Sequence, residues 1–454
     1  MIMPTLWAVT VAAAAAPTVD ASPSESSHLG SFIRTLQEHP WTSAILGRPL
    51  DLLSPYLRME YALIGLAFVT MTASLLMPYL INLFVPPSSS ADARAEIERA
   101  IVTARLDAAS KRPNAYPPHC PVRTSKGGDA VVQRYNASLD TYTLTSSGVD
   151  VPASDVVATT VADLFIYPIK SCGGIRLTRS HVLGQGLQYD RQWLVVDDKG
   201  DFVTQRKYPS MALIQPHLTL FDPSSIRSAN AITLTATNGA LDPLVVPVLT
   251  RGVQRSVRVW KDRLDAIDQG DAAAAWLAKF LGNPTFRLVR LKDAFKRPCD
   301  PEFAPDHITG FADGFPILVA AAASLTALEQ KLDRPLDILR FRPNIVLAGC
   351  PAWADDVYHV FDILGQDGNL RFCNVKPCSR CSVPSVNPAT GAKDDEVAGT
   401  ISLQDVLKAH RNGKQLGFLK GAAHEVFFGS NVVCDNTGVI AVGDVVKVLA
   451  VKTA

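Results

Sequence analysis

At 454 residues the chain is too long for one ordinary core, and two or three folded units are expected. Hydrophobic residues make up 47% and charged residues 19%, which excludes a largely disordered chain. Lys plus Arg total 44 against 43 Asp plus Glu, so the basic footprint that nucleic-acid binding needs is missing and no nucleic-acid partner is expected; a local basic pocket remains compatible with that balance.

Reading from the N-terminus, residues 1–60 form a tail without a clear element. An apolar run near residues 6–16 lacks the positive n-region of a signal peptide, since no Lys or Arg precedes Arg34. Residues 61–85 contain no charged side chain. At about 1.5 Å per residue they cross a hydrocarbon layer of roughly 30 Å, with Tyr61 and Tyr79 near the ends, and they predict one transmembrane helix. Pro86-Pro-Ser-Ser-Ser-Ala91 stops that helix, and Ser90 is placed to cap the next one, a polar stalk over residues 91–111. Residues 113–158 mix Pro, Ser, Thr and Gly and read as a linker or lid, so 86–158 is taken as stalk and linker.

From residue 161 the pattern changes to short strands and frequent turns, which indicates β-barrel or sandwich architecture with few helices. Strands are predicted at 164–169, 192–196, 202–205, 232–237, 244–248 and 256–259. The arms 192–196 and 202–205, around the turn Asp197-Asp-Lys-Gly200, make a hairpin. A helix follows at 272–281, on amphipathic spacing. A second unit opens near Cys299, with helices at 324–332 and 403–411 and strands at 344–347 and 370–375. Two further strands, 425–433 and 439–449, are expected to pair, and Gly443-Asp444 turns the last one. The domains are therefore expected at 159–296 and 297–454. The fold class is mixed α/β and β-rich.

Eight cysteines (Cys120, Cys172, Cys299, Cys350, Cys373, Cys378, Cys381 and Cys434) are spread too thinly for a small disulfide-stapled domain. A reducing compartment with free thiols is expected. Cys373, Cys378 and Cys381 are the densest group, and several chemistries suit them. Their C-x4-C-x2-C spacing equals the opening of a plant-type iron–sulfur ligand set. Cys378 and Cys381 with His424 or Cys434 would serve zinc. Cys373 also fits a buried structural role. Alternatively, one thiolate binds a soft-ligated metal: Arg380 adjoins Cys381 and Lys376 is near, and cations favour thiolate.

At these residues the chain resembles a known family. Phe341-Arg-Pro-Asn-Ile-Val346, Leu347-Ala-Gly-Cys350, Lys376-Pro-Cys-Ser-Arg-Cys381 and Asn387-Pro-Ala-Thr-Gly391 resemble the MOSC domain. Tyr167-Pro-Ile-Lys-Ser171 and Asp190-Arg-Gln-Trp193 resemble the N-terminal β-barrel domain that precedes it, and Phe311-Ala-Asp-Gly-Phe-Pro316 the junction between the two. Gly438-Val-Ile-Ala-Val-Gly-Asp444 fits near the end. The resemblance runs from about residue 161 to 451, and its architecture is similar to that of the membrane-anchored amidoxime-reducing components.

The resemblance implies an N-terminal MOSC β-barrel domain followed by a MOSC β-barrel domain. It implies a molybdenum cofactor (molybdenum-molybdopterin) held by Cys381 as the metal ligand. Lys170, Ser171, Arg191, Arg342, Asn344, Ser379 and Arg380 would bind the pterin and its phosphate, a role to which charge-assisted Arg and Lys contacts suit them. Asp313 is the candidate proton relay. The implied activity is reduction of N-hydroxylated amidoxime or N-oxide substrates. Electrons would come from a b-type cytochrome and its NADH-dependent flavin reductase. The implied location is a single-pass anchor in the mitochondrial outer membrane, or alternatively the endoplasmic reticulum, with the catalytic part in the cytosol. The chain reads Cys381-Ser-Val-Pro-Ser-Val-Asn-Pro388 where amidoxime-reducing relatives usually continue Cys-x-x-Thr-Thr-Val-Asp-Pro, a departure that bears on the substrate. MOSC domains also close molybdenum-cofactor sulfurases. That alternative needs pyridoxal phosphate on a partner in trans, because residues 86–160 are too few to hold such a domain. A cofactor carrier is the third reading.

Overall fold

The structure, a computed structural model, describes residues 116–452 apart from 117, 137–140, 146–149, 220–228, 366–367, 395–400 and 418–421. The tail, the predicted membrane span at 61–85 and the stalk at 91–111 lie outside the described residues. Among the described residues no helix is long and apolar enough to cross a membrane.

Seven strands close into a barrel. In chain order they are β1 (Thr160–Ile166), β2 (Ile317–Ala321), β3 (Ile345–Ala348), β4 (Tyr358–Gly365), β5 (Gly368–Ser379), β6 (Phe427–Cys434) and β7 (Val445–Val451). Around the ring the order is β3-β2-β6-β5-β4-β7-β1, and β1 pairs back onto β3 through Ile345↔Leu164 and Leu347↔Val161. Closure leaves no free edge among these seven. β1 belongs to the segment expected to form the first domain, so the second barrel is completed by a strand from the first.

The strand sequences explain their positions. β2, Ile-Leu-Val-Ala-Ala, is buried at every residue, because one face looks into the barrel and helices cover the other. Helix α2 (Ala322–Leu332) makes the crossover that lets β2 and β3 run parallel; the other α-helices among the described residues are α1 (Asp271–Leu281), α3 (Ala354–Val357) and α4 (Leu403–His410). Leu328 and Leu332 of α2 meet Leu403 and Leu407 of α4 over Phe341 and Phe428, whose rings stack at 3.8 Å. Gly349, just past β3, has φ +79°, and a Cβ there would lie 2.1 Å from the Ala158 carbonyl oxygen. Only glycine lets the two backbones pass at that seam.

The preceding domain contributes a four-stranded sheet, ordered Gln254–Val259, Asp262–Asp268, Arg287–Leu291 and Trp193–Val196, and a three-stranded sheet of Ile214–Thr219, Ala231–Ala236 and Leu244–Pro247. α1 buries Trp276, Leu277 and Leu281. The second hairpin arm expected at 202–205 shrinks to one bridge, Val196↔Phe202.

Two expectations are corrected. Residues 116–158 are not simply a linker: Pro121–Arg123, Asp129–Asn136, Thr141–Leu144 and Asp150–Pro152 form an antiparallel meander. Its Cys120, Val122, Tyr142 and Leu144 are buried in the same core as the barrel strands. Val122, Val132 and Tyr142 provide the alternation, but polar residues between them obscure it in the sequence. The two C-terminal strands also do not pair with each other. β6 lies between β2 and β5, Gly438–Ala441 pairs with Arg179–Leu183, and β7 pairs with β4.

Candidate functional site

Five segments converge on one cleft, and they bring together all nine site residues expected from the sequence: Lys170, Ser171, Arg191, Asp313, Arg342, Asn344, Ser379, Arg380 and Cys381. Lys170 and Ser171 follow β1, Arg191 precedes the strand at Trp193, Asp313 precedes β2, Arg342 and Asn344 lead into β3, Ser379 ends β5, and Arg380 and Cys381 follow it. Ser171, Arg191 and Arg342 all have left-handed backbones, with φ of 68°, 45° and 58°. Such conformations in non-glycine residues cost energy and gather at functional sites. Here they turn side chains from three separate loops toward one space.

Arg191 is held by protein on every side. Its Nη1 donates to Asp190 Oδ2 at 2.6 Å and to Asn344 Oδ1 at 3.0 Å, and its Nη2 to the Arg342 carbonyl at 3.0 Å. Asn344 is a positioning residue. Its Oδ1 also accepts from the Leu318 amide at 3.0 Å, and its Nδ2 donates to the Phe165 carbonyl at 3.1 Å. Burial pushes the Asp190 carboxyl up, against the pull of Arg191.

Arg342 differs. Its Nη1 donates to the Cys172 carbonyl at 2.6 Å, but its buried Nη2 has no partner. Burial first, then the charge of Arg191, draw the Arg342 guanidinium down to about 10. The two guanidiniums stack on the ring of Tyr167, at 4.4 Å for Arg191 and 4.2 Å for Arg342. Gly174 leaves room for that ring, since a Cβ there would lie 2.6 Å from Tyr167 Cε1.

Lys170 is buried and donates to the Phe311 carbonyl at 2.8 Å and to Asp313 Oδ1 at 2.7 Å. Burial lowers its proton affinity, and Asp313 opposes that. Asp313 also accepts from Trp260 Nε1 at 2.9 Å. Surrounding protein disfavours its charge, but the Lys170 ammonium outweighs this and, with Trp260 and Arg206, holds the carboxyl well below the usual carboxylate range. Asp313 is thus the ion-pair partner of Lys170 on the cleft wall.

Cys381 is exposed on the cleft wall, and Cys378 is half-buried. β5 runs on to Ser379, so Cys378 lies within a strand rather than in a loop. Cys378 Sγ accepts from Arg380 Nη1 at 3.0 Å, and Arg380 Nη2 donates to the Phe341 carbonyl at 2.7 Å. Arg380 Nε is buried without a partner. Cys373 lies in the middle of β5 against Asp435, and Cys434 turns toward the Asn436 carbonyl at 3.1 Å. Among the described residues no three His, Cys, Asp or Glu side chains are placed to share one metal ion.

Sequence reasoning missed Thr204, Arg206, Phe341 and Asn431, which also line the cleft. Arg206 stacks on exposed Trp260 at 4.7 Å. The Gln205-Arg206-Lys207 run was the available signal, but residues 202–205 read as a hairpin arm. Lys170, Arg191, Arg206, Arg342 and Arg380 face Asp313 as the one carboxylate on the wall, so the cleft carries surplus positive charge suited to an anionic ligand.

A closed barrel completed from the preceding domain, with this cleft beside it, defines a MOSC architecture. Residues 158–284 match the model of the MOSC N-terminal beta barrel domain and residues 306–447 that of the MOSC domain, and the chain belongs to the MOSC family. It is 32% identical over 301 residues to mitochondrial amidoxime-reducing component 1 of Homo sapiens, covering 64% of this chain and 83% of that one. For the protein of that name in Mus musculus the identity is 33% over 304 residues, with 64% and 82% covered. Molybdenum cofactor sulfurase of Bos taurus is 28% identical over 281 residues, which cover 57% of this chain and 30% of that one.

Proposed function

We propose that the chain is a molybdenum-cofactor-dependent oxidoreductase that reduces N-hydroxylated substrates of the amidoxime or N-oxide type. The observation that carries this reading is the cleft itself: it holds an exposed thiol, Cys381, and a guanidinium, Arg342, whose buried Nη2 lacks a protein partner. A buried donor left unmade is costly, so a ligand oxygen is the economical explanation for it. Phosphate suits the surplus positive charge and a soft metal suits the thiol.

The residues present fit the cofactor. Cys381 would ligate the metal. Arg342, Arg380, Ser379, Ser171 and Lys170 would hold the phosphate and pterin, with Arg191 and Asn344 fixing the position of Arg342. The cofactor would supply two-electron redox chemistry at molybdenum. Overall, N–OH plus two protons and two electrons gives N–H and water. Asp313 keeps Lys170 aimed at the cleft. Exposure of Cys381 leaves substrate a direct approach from solvent.

Electrons are proposed to come from a b-type cytochrome and its NADH-dependent flavin reductase. The proposed setting is the mitochondrial outer membrane, with residues 61–85 as anchor and the catalytic part in the cytosol; the relatives' names include mitochondria. The test is reduction of benzamidoxime to benzamidine by the full chain with that cytochrome and reductase. NADH-dependent turnover is expected. Sulfur release from cysteine with a pyridoxal-phosphate partner, and no amidine, would transfer the assignment to the sulfurase reading.

A further inference from the structure

Among the cations on the cleft wall, Arg206 stands apart. Lys170 pairs with Asp313 at 2.7 Å and Arg191 with Asp190 at 2.6 Å, so those charges are balanced. Arg342 and Arg380 each spend a donor on a backbone carbonyl, at 2.6 Å and 2.7 Å. Among the described residues Arg206 makes no hydrogen bond or ion pair; its guanidinium lies on the Trp260 ring at 4.7 Å.

Surrounding contacts fix that placement. The Thr204 carbonyl accepts from the Lys207 and Tyr208 amides at 3.0 Å and 2.9 Å, which sets the turn that carries Arg206. Trp260 sits at the tip of a hairpin with φ 56°. Its Nε1 donates to Asp313 Oδ1 at 2.9 Å, its ring meets Phe202 at 5.2 Å, and Arg258 of the same hairpin donates to Asp201 at 2.7 Å. A guanidinium stacked on an aromatic face keeps its edge N–H groups free. Trp260 is 47% exposed, so that edge stands at the mouth of the cleft rather than on its floor.

Charge and shape name the group that it would meet. With Lys170 and Asp313 cancelling, Arg206 leaves one unmatched positive charge at the mouth. A planar fork of N–H donors matches the two oxygens of a carboxylate. A monoanion balances the single charge, and a dianionic phosphate does not. We propose that Arg206, held by Trp260, is a specificity-determining residue that binds a carboxylate on the substrate, so that the enzyme prefers N-hydroxylated compounds that carry one. The proposal rests on the reductase reading above and names the substrate class within it.

The test uses the full chain with its cofactor and two closely matched substrates, 4-carboxybenzamidoxime and its methyl ester. In the parent, kcat/KM should favour the acid about tenfold or more, the order of one charge-assisted hydrogen bond. Arg206→Gln should bring that ratio near one, mainly by raising KM for the acid. Arg206→Lys keeps the charge without the fork and Trp260→Leu removes the stacking; both should fall between. Benzoate, which has no N–OH to reduce, should bind the parent in calorimetric titration and lose affinity by a similar factor in Arg206→Gln. Molybdenum and pterin content of Arg206→Gln should match the parent, because carboxylate and cofactor use different cations. A ratio near one in the parent, a ratio that survives Arg206→Gln, or loss of pterin from that variant would overturn the proposal and leave the reductase reading in place. If the parent reduces neither compound, the reductase reading falls and benzoate alone decides the carboxylate site. Equal affinity in parent and Arg206→Gln then overturns it, and weaker binding by the variant upholds it.

Discussion

At the scale of single residues, the site depends on which polar atoms the protein satisfies and which it leaves. Asn344 is fully engaged, joining Arg191, the Leu318 amide and the Phe165 carbonyl. Asn344→Ala strands those groups. It should cost about 2–4 kcal/mol in urea unfolding, at about 1 kcal/mol per lost hydrogen bond plus desolvation of the buried partners. It should also lower cofactor content by freeing Arg191. Unchanged stability would mean that the three bonds are dispensable. The motif strings made Arg342 and Asn344 visible together but could not distinguish their surroundings: Arg342 Nη2 is left without a protein hydrogen bond, whereas Asn344 is consumed by the scaffold. The same holds for Asp313. Its place in the cleft was legible from the junction motif, but its ionised state was not, because it depends on Lys170 some 140 positions away in sequence.

Elements show a second kind of long-range dependence. Helix α3 carries adjacent carboxylates, buried Asp355 and half-buried Asp356. Ser324 Oγ donates to Asp355 Oδ1 at 3.0 Å, Arg411 Nη2 donates to Asp356 Oδ2 at 2.5 Å, and Asp355 Oδ2 has no partner. Lys452 lies near both. Burial first, and then the Asp356 charge, push Asp355 up to about 7. The unfolded carboxyl titrates near 4, so between about pH 4 and 7 the folded protein binds the extra proton, and this contribution to stability is lost as pH rises. Asp355→Asn should remove that component. Its melting temperature relative to the parent should rise from pH 5 to pH 8, and parallel profiles for the two proteins would contradict the assignment. Local elements were readable wherever periodicity was strong, as in α1 and α2. Pairing was not, because the partners of β6 and β7 depend on barrel closure by β1. The meander at 121–152 was missed for a related reason: Thr, Ser and Asp between Val122, Val132 and Tyr142 look like linker until the barrel buries one face.

For the whole molecule, the meander and barrel share a core, whereas every site residue lies at or beyond Lys170. Full-length chain should partition with membranes. A chain starting at residue 89 should remain soluble, folded and loaded with cofactor. A chain starting at residue 159 should aggregate or melt lower, because it exposes Tyr358 and Cys350, which pack with Tyr116 and Cys120 in that core. Sedimentation and thermal melts distinguish the three; equal stability of the two truncations would show the meander to be an appendage.

The claim on which the functional account depends most is that one thiolate, Cys381, holds molybdenum. Molybdenum, iron, zinc and pterin should be measured in purified full-length protein and in Cys373→Ser, Cys378→Ser and Cys381→Ser. A serine hydroxyl is a poor substitute for thiolate on a soft-ligated metal. The account predicts molybdenum in the parent, its loss in Cys381→Ser, near-full content in Cys373→Ser, where the thiol faces Asp435, and a mild reduction in Cys378→Ser, where a hydroxyl can still accept from Arg380. Full molybdenum in Cys381→Ser, or joint loss of iron or zinc in all three variants, would contradict it.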